Sequence, residues 1–285
     1  MELPLVVGVD GSDSSLRALD WAVDEAARQG LTLRLVHAAR WERYEGNLPS
    51  FSADRPAGEV MADHIIASCA ERARLRDPDV KVSGEVRPDD AVSALLEEGH
   101  EAFAVITGNR GRSELSGMLL GSVSLTVAAR ALCPVIVVRG AERNLRGGFG
   151  RVVLAVGDRA EDSAAARFAL GEARARGCEL HAVRAWRRPA GRHLDDTDHV
   201  YEEQAARILD DALSQVEADE GGTAPRRATV EGPAHRVLLA ASADADLLVV
   251  GALRRHGHTG LQLGRVSHSV LHHADCPVAV VPQQA

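Results

Sequence analysis

Val105-Ile-Thr-Gly108-Asn-Arg-Gly111 is followed, nine residues after its second glycine, by Gly121-Ser122-Val123-Ser124. Val105 to Thr107 read as the end of a buried strand, and Val123 to Arg130 as the start of a helix. Between them lie two glycines three apart, a variable run, and a third glycine beside a hydroxyl. Glycine lets backbone N–H groups turn inward with no Cβ in the way, so the main chain can cradle an anion. Ser122 stands where the helix begins, and there free N–H groups and the positive end of the dipole favour phosphate. The plain alternative is a glycine-rich surface loop capped by Ser122, and a G-x-x-G by itself would not exceed it. The full spacing, with a strand before and a helix after, favours a phosphate site.

Outward from this loop, apolar strands alternate with helical patterns. Leu5 to Val9 reads as a strand, and Asp13 to Gln29 as a helix with Leu16, Leu19 and Val23 on one face and Gly30 as its stop. Leu31 to His37 is the second predicted strand, and a loop through Pro49 and Pro56 leads to a helix near Gly58 to Arg76. Val80 to Val86 is the third strand, followed by a helix from Asp89 to Glu98, the strand Phe103 to Thr107, the glycine loop, a helix ending at Ala131, and Val135 to Val138. Such alternation implies parallel pairing through right-handed crossovers. The expected fold is α/β, a doubly wound five-stranded parallel sheet. Ligands in such sheets bind beyond the carboxyl ends of the strands, the edge that would hold Asp10, Ala38 and the loop after Thr107.

The pattern then repeats. Leu132-Cys-Pro-Val-Ile-Val-Val138 returns as Asp275-Cys-Pro-Val-Ala-Val-Val281, and the Gly108–Gly121 spacing returns as Gly251–Gly264, 143 positions on. That period is domain-sized and far too long for a solenoid unit. The expectation is two tandem domains, 1–143 and 151–285, joined by the polar, glycine-rich linker 144–150.

Composition suits a soluble protein. A formal charge of −8 argues against nucleic acid or an anionic membrane as the main partner. The apolar run Leu5 to Val9 lacks a preceding basic region and is too short for a signal or a membrane span, and no other stretch approaches spanning length. Cys69, Cys133, Cys178 and Cys276 form no C-x-x-C pair and no metal spacing, which points to a reducing cytoplasm. Cys133 and Cys276 each precede a proline and an apolar strand and read as small buried hydrophobes. Lys81 is the only lysine, so no glycine-rich loop carries the lysine that a Walker loop needs.

Gly108, Gly111, Gly121 and Ser122 match without a gap the G-x2-G-x9-G-[ST] loop of the universal stress protein family, which the chain resembles over nearly its whole length, twice. Val6-Val-Gly-Val-Asp10-Gly-Ser12 is similar to that family's first strand and acidic turn, Leu35-Val-His37-Ala38 to its second strand, and Cys133-Pro-Val-Ile-Val-Val138 to its last. The resemblance implies ATP as ligand, with or without Mg2+. It implies that Gly8 and Ala38 border adenine, that Asp10 accepts ribose hydroxyls, and that main-chain groups near Gly108 face the ribose. Gly111, Gly121, Ser122 and Val123 would hold the phosphates. On residue type alone, Asp10 would cap the helix through Asp13 or stabilise the turn. Arg110 and Arg112 flank the loop and would meet either phosphate or solvent. The loop Arg40 to Pro56, with Trp41 and Tyr44, would fold over a nucleotide or pack on its own domain.

In the second half, Gly251-Ala-Leu-Arg254 puts arginine where the second glycine should stand, and Gly264-Arg265 puts arginine where the serine should stand. A gap-free match sets Gly157 opposite Asp10, whereas a one-residue slip would restore Asp158. The expectation is a scaffold that has lost ATP binding, with Arg254 either obstructing phosphate or binding an anion. His256, His258, His268, His272 and His273 crowd this end, and His268 and His272 have metal-compatible i, i+4 spacing. No carboxylate or cysteine completes such a set, so a polar surface is the preferred reading. Arg184 to Asp198 reads as a solvated lid loop.

Efficient hydrolysis needs a residue that positions water and groups that stabilise the transition state, and the sequence offers no such set. The leading expectation is a nucleotide-dependent regulator of a stress or dormancy response, with no enzymatic role beyond slow ATP turnover. Alternatives are a nucleotide-independent interaction protein and an adenylating or ATP-pyrophosphatase-type enzyme, to which Asp10-Gly-Ser-Asp-Ser-Ser15 has a superficial likeness in the wrong order. In the family the last strands of two domains pair, which makes Val135–Val138 and Val278–Val281 candidate edges for pairing within the chain or in a homodimer. The downstream partner is not named by the sequence.

Overall fold

The computed structural model describes residues 3–39, 57–111, 120–157, 163–188, 198–220, 224–253 and 263–283. The chain divides into two compact units, Met1–Val138 and Arg139–Ala285. In the first, β1 (Leu5–Gly8), α1 (Asp13–Gln29), β2 (Leu33–Ala38), α2 (Ala57–Arg76), β3 (Val82–Arg87), α3 (Ala91–Glu98), β4 (Ala104–Gly108), α4 (Ser122–Arg130) and β5 (Val135–Val138) follow one another. The strands are all parallel, in the order β3-β2-β1-β4-β5. β4 and β5 are buried throughout and carry the unbroken apolar runs of strands covered on both faces. β3 is an edge strand whose exposed Ser83-Gly84-Glu85 centre suits an unpaired side.

Local chemistry sets the helix limits. α1 starts at Ser12, whose hydroxyl accepts from Ser15 N, and stops at Gly30, left-handed at φ 68°. Its core face is Leu19, Trp21, Ala22 and Val23, and it packs on β1, β4 and β5. The expected second strand began at Leu31, but the Leu31 N–H bonds Ala26 O and so completes the helix cap. α3 begins two residues later than the sequence suggested because Asp90 is its cap, its Oδ1 accepting from the N–H groups of Val92 and Ser93 at 3.1 Å.

The second unit repeats the plan after the short helix α5 (Glu142–Leu145): β6 (Arg151–Ala155), α6 (Ser163–Arg176), β7 (Glu179–Trp186), α7 (Asp198–Glu220), β8 (Arg226–Glu231), α8 (Ala234–Ser242), β9 (Leu247–Leu253), α9 (Arg265–His273) and β10 (Val278–Gln283). Its parallel order is β8-β7-β6-β9-β10. The chain is therefore two tandem doubly wound five-stranded α/β domains. The start of the stretch read as a linker is anchored to this unit. Asn144 is buried, and its amide donates to the carbonyls of Ser242, Ala243 and Ala245, the last at 2.7 Å. Arg184 to Trp186, expected in a solvated loop, instead continue β7, and Arg184 is only 7% exposed.

Candidate functional site

In the first unit the winding reverses between β1 and β4, and the carboxyl ends of β1, β2 and β4 open there onto a cleft of about 340 Å3. This is the ligand position of doubly wound sheets, and the volume lies within the usual range of small-molecule sites, about 300–1,000 Å3. Gly8, Asp10, Ala38, Gly108, Gly111, Gly121, Ser122 and Val123 all line it. So do His37, Leu95, Thr107 and Ser124, which sequence reasoning did not single out, and Arg110. Arg112, Trp41 and Tyr44 lie outside the described residues.

The acidic turn is held from within. Gly11 turns the chain at φ 78°, a conformation glycine adopts without strain. Asp10 Oδ1 then accepts from Ser12 N at 2.9 Å and from Ser12 Oγ at 2.6 Å, while the Asp10 N–H donates to Ser15 Oγ at 3.3 Å. The helix cap is thus Ser12, and Asp10 bonds that cap within the turn, as the turn-stabilising alternative has it. The carboxylate's other oxygen lies beside the glycine loop: a β-carbon on Gly111 would stand 3.2 Å from Asp10 Oδ2. Glycine at 111 lets the main chain approach the acid.

The loop is clamped at both ends. Ser14 Oγ donates to Asn109 Oδ1 at 2.8 Å and accepts from Arg110 N at 3.1 Å. A β-carbon on Gly108 would fall 2.5 Å from Ser14 Oγ and 2.7 Å from Ser14 O, so α1 and β4 meet there with room for hydrogen alone. At the other end the Gly121 N–H donates to Asn109 O at 2.8 Å, and Ser124 Oγ donates to Gly108 O at 2.7 Å. Gly121 is the N-cap of α4 and brings no side-chain cap to it, and Ser122, Val123 and Ser124 of the first turn line the cleft, where the positive end of the dipole lies. With Arg110 alongside, that end of the cleft suits an anionic group. The opposite end, walled by Gly8, Ala38 and Leu95, suits an apolar ring. His37 Nδ1 donates to Val9 O at 2.7 Å, which fixes that ring at the mouth.

The second unit has the corresponding cleft, about 450 Å3, with different chemistry. Ala155 pairs with Val250, which precedes Gly251 as Thr107 precedes Gly108; this register puts Ala155 at the place of Gly8 and Gly157 at the place of Asp10. The gap-free match holds through the strand. Arg184 takes the place of His37, and its Nη1 donates to Val156 O at 3.3 Å and to Gly157 O. A β-carbon on Gly251 would run into the side chain of Gln283. Arg265 opens α9 where Ser122 opens α4. Arg254, Asp158, His256 and His258 lie outside the described residues.

His268 and His272 stack with ring centroids 4.4 Å apart. Among the described residues no group of three or more His, Cys, Asp or Glu is placed to hold a metal ion. Among the same residues no helix is long and apolar enough to cross a membrane. Cys133 and Cys276 are buried as expected, and burial pushes the Cys133 thiol up to about 11 and the Cys276 thiol higher still.

Comparison with known proteins places these features in a family. The sequence profile of the universal stress protein family matches residues 3–139 and again 148–282. Universal stress protein Rv2005c of Mycobacterium tuberculosis (strain ATCC 25618 / H37Rv) is 32% identical over 287 residues, covering 98% of this chain and 97% of its own. The crystal structure of a universal stress protein from Archaeoglobus fulgidus DSM 4304 superposes with a TM-score of 0.65 at 19% identity, covering 99% of both chains. A universal stress protein solved in complex with cAMP is 32% identical over 49% of this chain and 99% of its own, with a TM-score of 0.36. Matched in both halves and along its length, the chain belongs to the universal stress protein family, in tandem form.

Proposed function

We propose that this protein binds ATP in the cleft of its first unit and acts as a nucleotide-dependent regulator of a stress or dormancy response. The observation that carries the reading is the convergence on one cleft of an acidic turn, a two-glycine loop and a helix that begins on glycine. Asp10 would accept ribose hydroxyls, Gly8 and Ala38 would border the base, and main-chain groups near Gly108 would face the sugar. Gly111, Gly121, Ser122 and Val123 would hold the phosphates, with or without Mg2+. The second unit, with Gly157, Arg184 and Arg265 in the corresponding places, would not bind ATP. A bound ATP would be held and not efficiently turned over, since the chain's own residues supply binding groups and no assigned base. The reading extends to a cytoplasmic homodimer.

Titration calorimetry with ATP on the intact protein and on Gly121→Val tests this. Valine at the cap would block close approach of phosphate to the main chain while leaving the sheet unchanged, which circular dichroism checks. The expected result is close to one ATP per chain, abolished in the variant. Residual binding would implicate the second unit. Absence of binding by the folded, ligand-free protein would overturn the reading in favour of a nucleotide-independent interaction protein. Sedimentation with and without ATP reports the homodimer.

A further inference from the structure

Thr107 presents a hydroxyl for which the fold has no use. It is 4% exposed, lines the cleft of the first unit, and its Oγ1 has no hydrogen-bond partner among the described residues. Burying an unpaired hydroxyl carries a free-energy cost, so the great majority of such groups have partners. The second unit shows that the strand does not require it. There the same position, directly before Gly251, is Val250, of the same shape and 3% exposed.

The direction of the side chain follows from the strand. Side chains alternate along β4, and the β-carbon position of Gly108 faces Ser14 on α1, so Thr107 faces the other side of the sheet. That is the face of Gly8, whose β-carbon would stand 3.1 Å from Leu95 Cδ1 of α3. Thr107 lies beside Gly8, one step beyond the paired Val7 and Ile106, and beside Val137 on its other flank. Its strand neighbours on that face are therefore Gly8 and Val137, neither of which brings a polar side chain, and it precedes the loop N–H groups and the start of α4 that suit an anion. A hydroxyl in such a place is matched by a neutral ligand group that donates or accepts one hydrogen bond, not by phosphate.

We infer that Thr107 is a specificity-determining residue, its hydroxyl hydrogen-bonding the uncharged nucleoside part of the nucleotide in the first unit. This rests on the reading that the cleft takes an adenine nucleotide. It gives the first unit a polar contact that the duplicated strand, with valine, lacks.

The test is calorimetric affinity for ATP and for AMP on the full chain, together with the melting temperature of the ligand-free protein, for wild type, Thr107→Val and Thr107→Ser. Thr107→Val imports the second unit's own residue and should leave the ligand-free protein as stable as wild type or more so. It should weaken ATP and AMP by the same factor, about tenfold, since one buried hydrogen bond is lost from the complex. Thr107→Ser keeps the hydroxyl and should stay within about threefold of wild type. Unchanged affinity in Thr107→Val, or a ligand-free variant that melts well below wild type, would overturn the assignment. A loss that grows with the number of phosphates would overturn it too, by placing the contact at the wrong end. Failure of wild type to bind either nucleotide would overturn the nucleotide reading and this inference with it. Tight wild-type binding matched by Thr107→Val would remove only the inference.

Discussion

Gly108 and Gly251 occupy equivalent strand ends, yet alanine should be tolerated at one and not at the other. A β-carbon at 108 would lie 2.5, 2.7 and 2.8 Å from Ser14 Oγ, O and C. Van der Waals separation between heavy atoms of this kind is about 3.5 Å, so the strand and α1 must part by roughly 0.7–1 Å. Two of the obstructing atoms are main chain in the first turn of α1 and cannot rotate away. The shift also strains the bonds that Ser14 Oγ makes to Asn109 and Arg110. Overpacking costs about 1–3 kcal/mol and weakening the two hydrogen bonds adds about 1 kcal/mol together, for a total of roughly 3 kcal/mol. At 251 the obstacle is the side chain of Gln283, which can turn, so the cost should be about 1 kcal/mol. Both substitutions reduce unfolded-state entropy by the same amount, so that contribution cancels between them. Differential scanning calorimetry of the full chain should show Gly108→Ala melting roughly 6–12 °C below wild type and Gly251→Ala within about 4 °C of it. Equal shifts, or a larger one for Gly251→Ala, would refute the argument that α1 and β4 meet through a hydrogen-sized gap.

Ser12→Ala removes the hydroxyl that caps α1 and donates to Asp10 Oδ1, while the main-chain N–H at 12 keeps its bond to that oxygen, and urea unfolding should register a loss of about 1 kcal/mol. The Cys133 thiol, raised by burial from its usual 9.0 to about 11, gives stability that is whole below pH 9 and falls as pH rises towards 11, because the unfolded thiol ionises first. Denaturation at pH 8 and pH 11 should show that fall, of roughly 2–3 kcal/mol, diminished in Cys133→Ala. His272 is shifted the other way, its pKa lowered by burial and then by His268, His273 and Arg139. Here the unfolded ring takes up a proton first, so stability should decline as pH falls below about 6.5, and less so in His272→Asn. Asn144→Ala leaves the carbonyls of Ser242, Ala243 and Ala245 without their amide donor, and the second unit should lose about 1–3 kcal/mol in a chemical melt.

The strands and the glycine loop were legible because their signals are local and repeated. Runs such as Val135-Ile-Val-Val138 have one plausible place, the middle of a covered parallel sheet, and the duplication states the domain size directly. The cleft was legible through its glycines, which mark where a side chain would obstruct. What stayed hidden has a common physical origin: its meaning lies in a partner far along the chain. Ser14 bonds Asn109, 95 residues away, and nothing near Ser14 announces it. Thr107 looks like any threonine in a strand until its burial and its lack of a partner among the described residues are known. Arg184 was assigned to a loop because charge usually marks solvent, whereas the open carbonyls of Val156 and Gly157 receive it inside. Asn144 sits in a polar, glycine-rich stretch that reads as a tether, and only the fold reveals the three carbonyls it holds.

The two helices that begin at the cleft of the first unit differ in self-sufficiency. α1 opens on Ser12 and closes its own first turn, so its start is formed whatever the cleft contains. α4 opens on Gly121, which has no side chain to do the same. Under the proposed function, its first turn would gain order from a bound anion, and its amide protons should exchange faster in the ligand-free protein. On that reading the cleft would be coupled to the firmness of one helix end, and ligand concentration would be converted into a local mechanical property of the protein surface, which a partner could sense without touching the ligand.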